Sequence, residues 1–283
     1  MSEIPPSSDP PELGLERDVA RLEGRFRETL AELGALRSKL KRADGRLGAR
    51  TRAELSEIRD EWEGLDRRWF FAVLAGLLVF MFASYVFYMQ LGWYADRRVL
   101  PPSSDWLLDH LPPVNLVPLL SWGWLAIHVY AVAIAVLYYP RKLPFLFFLF
   151  GIYLCVRTVY VFLSPIGAPV RILHMGELDN LFPMVMGVYT FENEFIFSGH
   201  TAMPFLFAMF FETPRQKGIM MAGSVLMAVS VLLTHNHYSV DVISAYFMGY
   251  AIYDLSERVY YSYLKPLFRK QPVGRLPRPV ELR

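Results

Sequence analysis

Between Trp69 and Trp93 the chain carries no charged side chain. That run is longer than the about 20 apolar residues one helix needs to cross a hydrocarbon core. In lipid, a backbone satisfies its own polar groups only as a helix or a closed barrel. Five further apolar runs follow: Leu116–Tyr139, Leu143–Leu163, Gly199–Phe211 with its lead-in Phe195–Phe197, Gly218–Thr234 and Val240–Leu255. The pattern predicts an all-α membrane protein built as a six-transmembrane-helix bundle. Few ionisable groups interrupt the runs: His128 in the second, Arg157 in the third, His200 opening the fourth, and Asp241 and Asp254 near the two ends of the sixth.

Basic residues orient the spans. Arg67 and Arg68 precede the first, Arg141 and Lys142 fill the turn between the second and third, and Arg215 and Lys217 lie between the fourth and fifth. Arg258, Lys265, Arg269 and Lys270 follow the sixth. With six spans these clusters share one side, while Arg97 and Arg98 on the other are offset by Asp96, Asp105 and Asp109. Lys and Arg concentrate on the cytoplasmic side, so both termini are expected there, with the opposite loops extracytoplasmic or lumenal.

Charge also sets the domain organisation. Residues 1–68 hold 29 of the 56 charged side chains, although the whole chain is 54% hydrophobic with a mean hydropathy of +0.27. Residues 1–14, rich in Pro and Ser, read as a disordered N-terminus. Residues 15–66 read as an amphipathic, coiled-coil-like cytoplasmic helical arm, because Val19, Phe26, Leu33, Leu40 and Leu47 recur every seven residues and Leu15, Leu22 and Leu36 fill the second seam. Gly24, Gly34, Gly45 and Gly48 weaken that helix. Two roles are open for it: homo-oligomerisation or partner docking, and lying as an amphipathic helix on its own membrane domain. Residues 67–260 form the six-span catalytic membrane domain, and residues 261–283 a basic, Pro-containing tail. A net charge of +2 offers no basic face for a nucleic acid. The single Cys155 excludes an intrachain disulfide and a cysteine-only metal site, and in its apolar run it reads as a core thiol. No signal peptide is expected, since the first apolar run begins only near Trp69.

The chemistry-bearing residues fall in two short segments. Phe197-Ser198-Gly199-His200-Thr201 opens the fourth span, and His235-Asn236-His237-Tyr238-Ser239-Val240-Asp241 forms the turn into the sixth. On a helix, His237 and Asp241 at i and i+4 share one face, where the carboxylate can fix the imidazole tautomer. His200 enters from another helix at the same membrane level. Two imidazoles and a carboxylate suit phosphoryl transfer: one imidazole attacks phosphorus and the other protonates the leaving oxygen. Arg157, roughly 21 Å along its span by 1.5 Å per residue, falls in the same half of the membrane and can receive a phosphate bidentately. A metal site from His200, His235, His237 and Asp241 is conceivable by ligand type, but the phosphohistidine reading needs no metal. His110, His128 and His174 are read as structural, and Glu192 and Glu194 as solvated loop carboxylates with a conceivable part in deprotonating an acceptor.

These two blocks resemble the PAP2 superfamily of lipid phosphatases and phosphotransferases, and look closest to its sphingomyelin synthase branch. That branch is similar in its six spans, in Ser-Gly-His-Thr at the start of the fourth, and in a His-x-His-Tyr-x-x-Asp-Val-x-x-Ala-Tyr stretch, here His235 to Tyr246. Leu100 to Asp105 resembles its Pro-rich, Asp-ending segment after span one, and Arg157 to Pro165 its Arg-to-Pro segment on span three. The resemblance implies His237 as nucleophile, Asp241 as its partner and His200 as acid/base. Arg157, Ser198, Gly199, Tyr238 and His235 are then the substrate-binding residues. It implies a phospholipid donor of phosphocholine or phosphoethanolamine, a lipid hydroxyl acceptor such as ceramide, and no metal or other cofactor. Two departures stand out. Phe191-Glu192-Asn193-Glu194 replaces the branch's usual Cys and Gly, and Ala251-Ile252-Tyr253-Asp254 replaces its aromatic-His ending. The phosphatase branch's Lys-x6-Arg-Pro block is not found, and Ser230-Val231 stands where its Ser-Arg pair would be. Hydrolysis by water is the alternative reaction, and a non-catalytic lipid-binding scaffold the alternative of another class.

Overall fold

The computed structural model describes residues 67–267, except 99, 165, 180, 182–183, 185–190 and 192–193, together with scattered positions from Arg21 to Glu63. The chain divides into two units, residues 1–60 and 61–283. In the first unit the described positions are helical and nearly all exposed. The heptad seam itself, from Leu15 to Leu47, lies outside the described residues, as does the tail beyond 267.

The second unit is a helical bundle. Its elements are α1 (Arg67–Asp96), the short α2 (Trp106–His110), α3 (Trp124–Tyr138) entered through a π-turn at Leu119–Gly123, and α4 (Leu143–Leu163). There follow the single-turn α5 (Met175–Leu178), α6 (Gly199–Phe210), α7 (Pro214–Leu233) and α8 (Ser239–Val259). Among the described residues there is no strand beyond one bridge pair, Pro102 with Gly167. Four stretches are long and apolar enough to cross a membrane: Phe70–Asp96, Leu119–Tyr138, Pro140–Leu163 and Pro214–Leu233. This makes the chain a membrane protein by length and composition.

The other two expected spans depart from that template for identifiable reasons. The α6 helix has only 12 residues, about 18 Å at 1.5 Å per residue. Its lead-in at 195–198 is non-helical, and the buried backbone there is satisfied by α8 instead. Ile196 N donates to Asp241 Oδ1 (2.9 Å), and Ser198 N donates to the Asp241 carbonyl (3.0 Å). Irregular backbone at membrane depth is tolerated where protein covers it in this way. The α8 helix has 21 residues, a sufficient length, but Asp241, Ser244, Asp254 and Ser256 lower its hydropathy. Its outward face is nonetheless an apolar stripe, with Val240, Ile243, Phe247 and Tyr250 all exposed.

Helix boundaries follow from side-chain chemistry. Asp105 caps α2 by accepting from Leu107 N and Leu108 N. The Ser198 hydroxyl accepts from Thr201 N to start α6, and Thr213 accepts from Gln216 N with Pro214 behind it to start α7. A capping oxygen and a first-turn proline are what an N-terminus favours. Pro204 lies inside α6. Lacking an N–H, it leaves the His200 carbonyl without its ordinary i+4 donor, in the turn that carries the site.

The core runs through α4 and α6. Phe145, Leu149, Tyr153, Phe197, Leu206, Phe207 and Phe210 are all but completely buried in one cluster. The α1 helix lies along α4, where Phe80 stacks on Phe148 at 6.1 Å between centroids. Gly151 permits the approach, since a Cβ there would stand 2.3 Å from the Phe80 ring. The opposite face of α1, with Phe71, Val79, Phe82 and Val86, is exposed. Apolar side chains so arrayed suit lipid rather than water, and the helices are held together by close packing rather than by a hydrophobic driving force.

Candidate active site

The turn between α7 and α8 is fixed before any catalytic side chain is considered. The α7 helix ends in a Schellman arrangement: His235 N donates to the Leu232 carbonyl (3.1 Å) and Asn236 N to the Val231 carbonyl (2.9 Å). That motif needs a left-handed residue after the cap, usually glycine, and here His235 supplies it at φ 55°. The buried His235 ring donates from Nε2 to the Leu111 carbonyl (3.1 Å). Asn236 donates to the Leu173 carbonyl (3.1 Å), Leu173 N donates to the Thr234 carbonyl (3.0 Å), and Val114 N donates to the Leu233 carbonyl (2.7 Å). The turn is thus held by the loop segments on both sides of it.

Asp241 is the hub from which the site is built. It is fully buried, at 0% exposure. Its Oδ2 accepts from His237 Nδ1 (3.2 Å) and from Tyr238 N (3.1 Å), and its Oδ1 accepts from Ile196 N (2.9 Å). A carboxylate accepts only, so Nδ1 of His237 carries the proton and Nε2 holds the free lone pair. The same carboxylate joins α8 to the α6 lead-in, so the motif aspartate both orients His237 and brings His200 to it. Ile196 is held at φ 107°, a conformation that costs a β-branched residue roughly 1–3 kcal/mol. It is kept there by its N–H bond to Asp241 and by the Ser244 hydroxyl, which donates to its carbonyl at 2.5 Å.

The imidazoles of His200 and His237 lie edge-on to each other, with ring centroids 6.4 Å apart and planes at 63°. Trp124 stands edge-on to His200 at 6.0 Å, and Phe195 edge-on to His237 at 6.1 Å. The two imidazoles are therefore neighbours walled by aromatic rings, and His237 is only 5% exposed.

Arg157 reaches this place from α4. A Cβ on Gly199 would lie 3.2 Å from its guanidinium carbon and 3.2 Å from the Tyr153 hydroxyl. Glycine in Ser-Gly-His therefore lets the guanidinium rest against the start of α6. Arg157 Nη2 pairs with Glu194 Oε2 (2.8 Å), and Nη1 donates to the Phe197 carbonyl. Tyr88 donates to the other Glu194 oxygen, and the guanidinium lies 6.0 Å from the Tyr88 ring centroid and 5.6 Å from that of Phe197. Glu194 is thus the counter-ion of a buried arginine, which corrects its reading as a solvated loop carboxylate. Glu192 lies outside the described residues. Gly199→Ala is expected to displace the guanidinium by a few tenths of an ångström. Turnover should fall about tenfold, since small misplacements at a reacting centre are costly, while helical content by circular dichroism stays unchanged.

The sequence-predicted residues divide into two groups. His200 lies beside His237, His237 bonds Asp241, and Gly199 lies against Arg157. Ser198 is occupied in capping α6. Tyr238 and His235 are tied to neighbouring loop segments: the Tyr238 hydroxyl donates to the Gly167 carbonyl (2.8 Å) and accepts from Ser103 N (3.0 Å). The sequence reading gave no role in the site to Glu194's pairing, Tyr88 or Asp105.

Asp105 closes the same end of the bundle. Its Oδ2 accepts from Ser239 N at 2.6 Å while its Oδ1 caps α2. Burial raises its pKa, but the N–H donors of Ser239, Leu108 and Leu107 outweigh that and hold the carboxyl below its ordinary value. A folded pKa lower than the unfolded one stabilises above the unfolded value and ceases to do so as pH falls through the folded one. The melting-temperature difference between wild type and Asp105→Ala should therefore be constant from pH 8 to about 5 and shrink only below about 4.

Residues 193–258 match the PAP2 superfamily C-terminal family model. The match takes in Glu194, His200, His237 and Asp241, and leaves Arg157 and Asp105 outside it. It spans less than a quarter of the chain. No curated protein and no solved structure matches the chain. PAP2 superfamily members are phosphatases and phosphotransferases, so an activity of that type on lipid phosphate is what this domain indicates.

Proposed function

We propose that this protein is a sphingomyelin synthase-like phosphotransferase, moving a phosphocholine or phosphoethanolamine head group from a phospholipid to a lipid hydroxyl such as that of ceramide. The observation that carries the reading is the pair of neighbouring imidazoles, one of them held by Asp241. His237 Nε2 attacks phosphorus, and the bond from phosphorus to the diacylglycerol oxygen breaks. That oxygen leaves with the proton of His200. The acceptor hydroxyl then gives its proton to His200, its oxygen attacks phosphorus, and the bond to Nε2 breaks. Both residues end as they began. Asp241 keeps the Nδ1 proton in place and stabilises the charge that grows on His237. Arg157, together with the positive end of α6 at Ser198 and Gly199, holds the phosphate oxygens. Tyr238 and His235 brace the substrate side of the turn.

The aromatic walls and the low exposure of His237 favour a lipid acceptor over water. The short α6 completed by its covered lead-in, and α8 with its lipid-facing stripe, bring the spans to six. Both termini are then cytoplasmic, and the site opens to the extracytoplasmic or lumenal leaflet. The seven-residue spacing of Val19, Phe26, Leu33, Leu40 and Leu47 supports self-association through residues 15–66, with docking on the membrane domain as the alternative.

The test is an incubation of purified protein with head-group-labelled phosphatidylcholine or phosphatidylethanolamine, with and without ceramide. A labelled lipid product that requires ceramide is expected. Release of free phosphorylated head group irrespective of ceramide would assign hydrolysis instead.

A further inference from the structure

We propose that Asp105 is a positioning residue for this site, holding the first residue of α8 to the start of α2 and thereby setting the height of His237 against His200. The proposal rests on the reading of His237 as the reacting imidazole.

One carboxylate serves two helix starts. Oδ1 accepts from Leu107 N (2.9 Å) and Leu108 N (3.2 Å), while Oδ2 accepts from Ser239 N (2.6 Å). The first amides of a helix have no intrahelical acceptor, and water or a local side chain ordinarily satisfies them. At α8 the local aspartate, Asp241, accepts from Tyr238 N and not from Ser239 N. The Ser239 amide is instead taken by a residue 134 positions earlier in the chain. His237 lies two residues before Ser239 and Asp241 two after it, so this bond fixes the middle of the segment that joins them.

The neighbouring bonds make the tie directional. Ser103 N donates to the Tyr238 hydroxyl, that hydroxyl donates to the Gly167 carbonyl, and Gly167 N donates to the Pro101 carbonyl (3.0 Å). A Cβ on Gly167 would come within 2.1 Å of the Leu100 carbonyl oxygen, so the two loop strands are in direct backbone contact. The Pro-rich segment 101–105 therefore grips Tyr238 and Ser239 from one side, while Asp241 and Ile196 hold His237 and Tyr238 from the other.

Two substitutions remove opposite halves of the same bond. Asp105→Asn leaves one accepting oxygen, too few for both helix starts. Ser239→Pro deletes the donor N–H together with the Ser239 hydroxyl, which also bonds Asp105, so it removes the whole Ser239 side of the tie. Ser239 is the first residue of α8, where proline is favoured, and Tyr238 before it already lies at φ −72° and ψ 158°, as a residue preceding proline requires. In the labelled-lipid assay each variant should lose kcat by about 10- to 100-fold, with KM within about twofold of wild type. The double variant should be no slower than the slower single variant. A wild-type kcat for Ser239→Pro, multiplying losses in the double variant, or a change in KM alone would overturn the positioning role. Melting temperatures of all three separate misfolding from misplacement, and Ser239→Pro keeps the test sound if Asp105→Asn unfolds. His237→Ala is run beside them. An inactive His237→Ala with a fully active Ser239→Pro sinks the positioning role alone. An active His237→Ala sinks the reading of the site, and this proposal with it.

Discussion

Replacing His237 with alanine is expected to lower head-group transfer by about three orders of magnitude or more while leaving the fold intact. The separation of the two effects follows from the bonds around Asp241. His237 contributes one side-chain hydrogen bond to that carboxylate, and its removal leaves Asp241 with the Ile196 and Tyr238 amides, so no buried charge is stranded. The turn is held by backbone bonds that the substitution does not touch. Asp241→Ala should behave differently. It deletes three hydrogen bonds at once, including the one that keeps Ile196 in its strained conformation, and loop order and activity should fail together. Turnover of labelled phospholipid and the melting temperature in detergent, measured on both variants, check this. Loss of activity in His237→Ala matched by an equal loss of stability would show a structural histidine rather than a nucleophile.

The second large effect is expected at Glu194. Glu194→Ala leaves the buried Arg157 guanidinium without its acidic partner, among the Phe197 carbonyl, the Tyr153 and Tyr88 hydroxyls and two aromatic rings. Breaking one side of a buried ion pair typically costs about 3–5 kcal/mol, whereas replacing both members with apolar residues of similar size is often close to neutral. The double variant Arg157→Met/Glu194→Leu should therefore recover most of the melting temperature lost by Glu194→Ala. Activity should not return with it, because the guanidinium that rests against Gly199 is gone. Full activity in the stable double variant would remove Arg157 from any part in holding phosphate.

What the sequence made legible followed the strength of the local signal. Apolar runs located the helices, and the Ser-Gly-His and His-x-His-Tyr segments marked residues that the fold brings close together. The bond between His237 and Asp241 is present, but His237 precedes the first residue of α8, so the pair meets across the helix start and not along one helix face. Features that depend on contacts far apart in sequence were not legible. His235 reads from the sequence as a substrate-binding residue, yet its φ of 55° makes it the residue that stops α7. Glu194 looked solvated because nothing local marks it as the partner of a residue 37 positions away. Ile196 carries no local hint of a positive φ, since the conformation is imposed by Asp241 and Ser244 on α8. The fourth and sixth apolar runs form helices, although one is only 12 residues long with an irregular lead-in and the other carries polar side chains that lower its hydropathy.

The central claim is that phosphorus is bonded to His237 during transfer, and its stereochemistry tests this without requiring the intermediate to accumulate. A phospholipid donor whose phosphorus is made chiral by sulfur and oxygen isotopes would be turned over with ceramide, and the configuration of the product read by phosphorus NMR. Two successive in-line displacements, the first by His237 and the second by the acceptor, give overall retention. Inversion would mean a single direct displacement by the acceptor, and would contradict the covalent role assigned to His237.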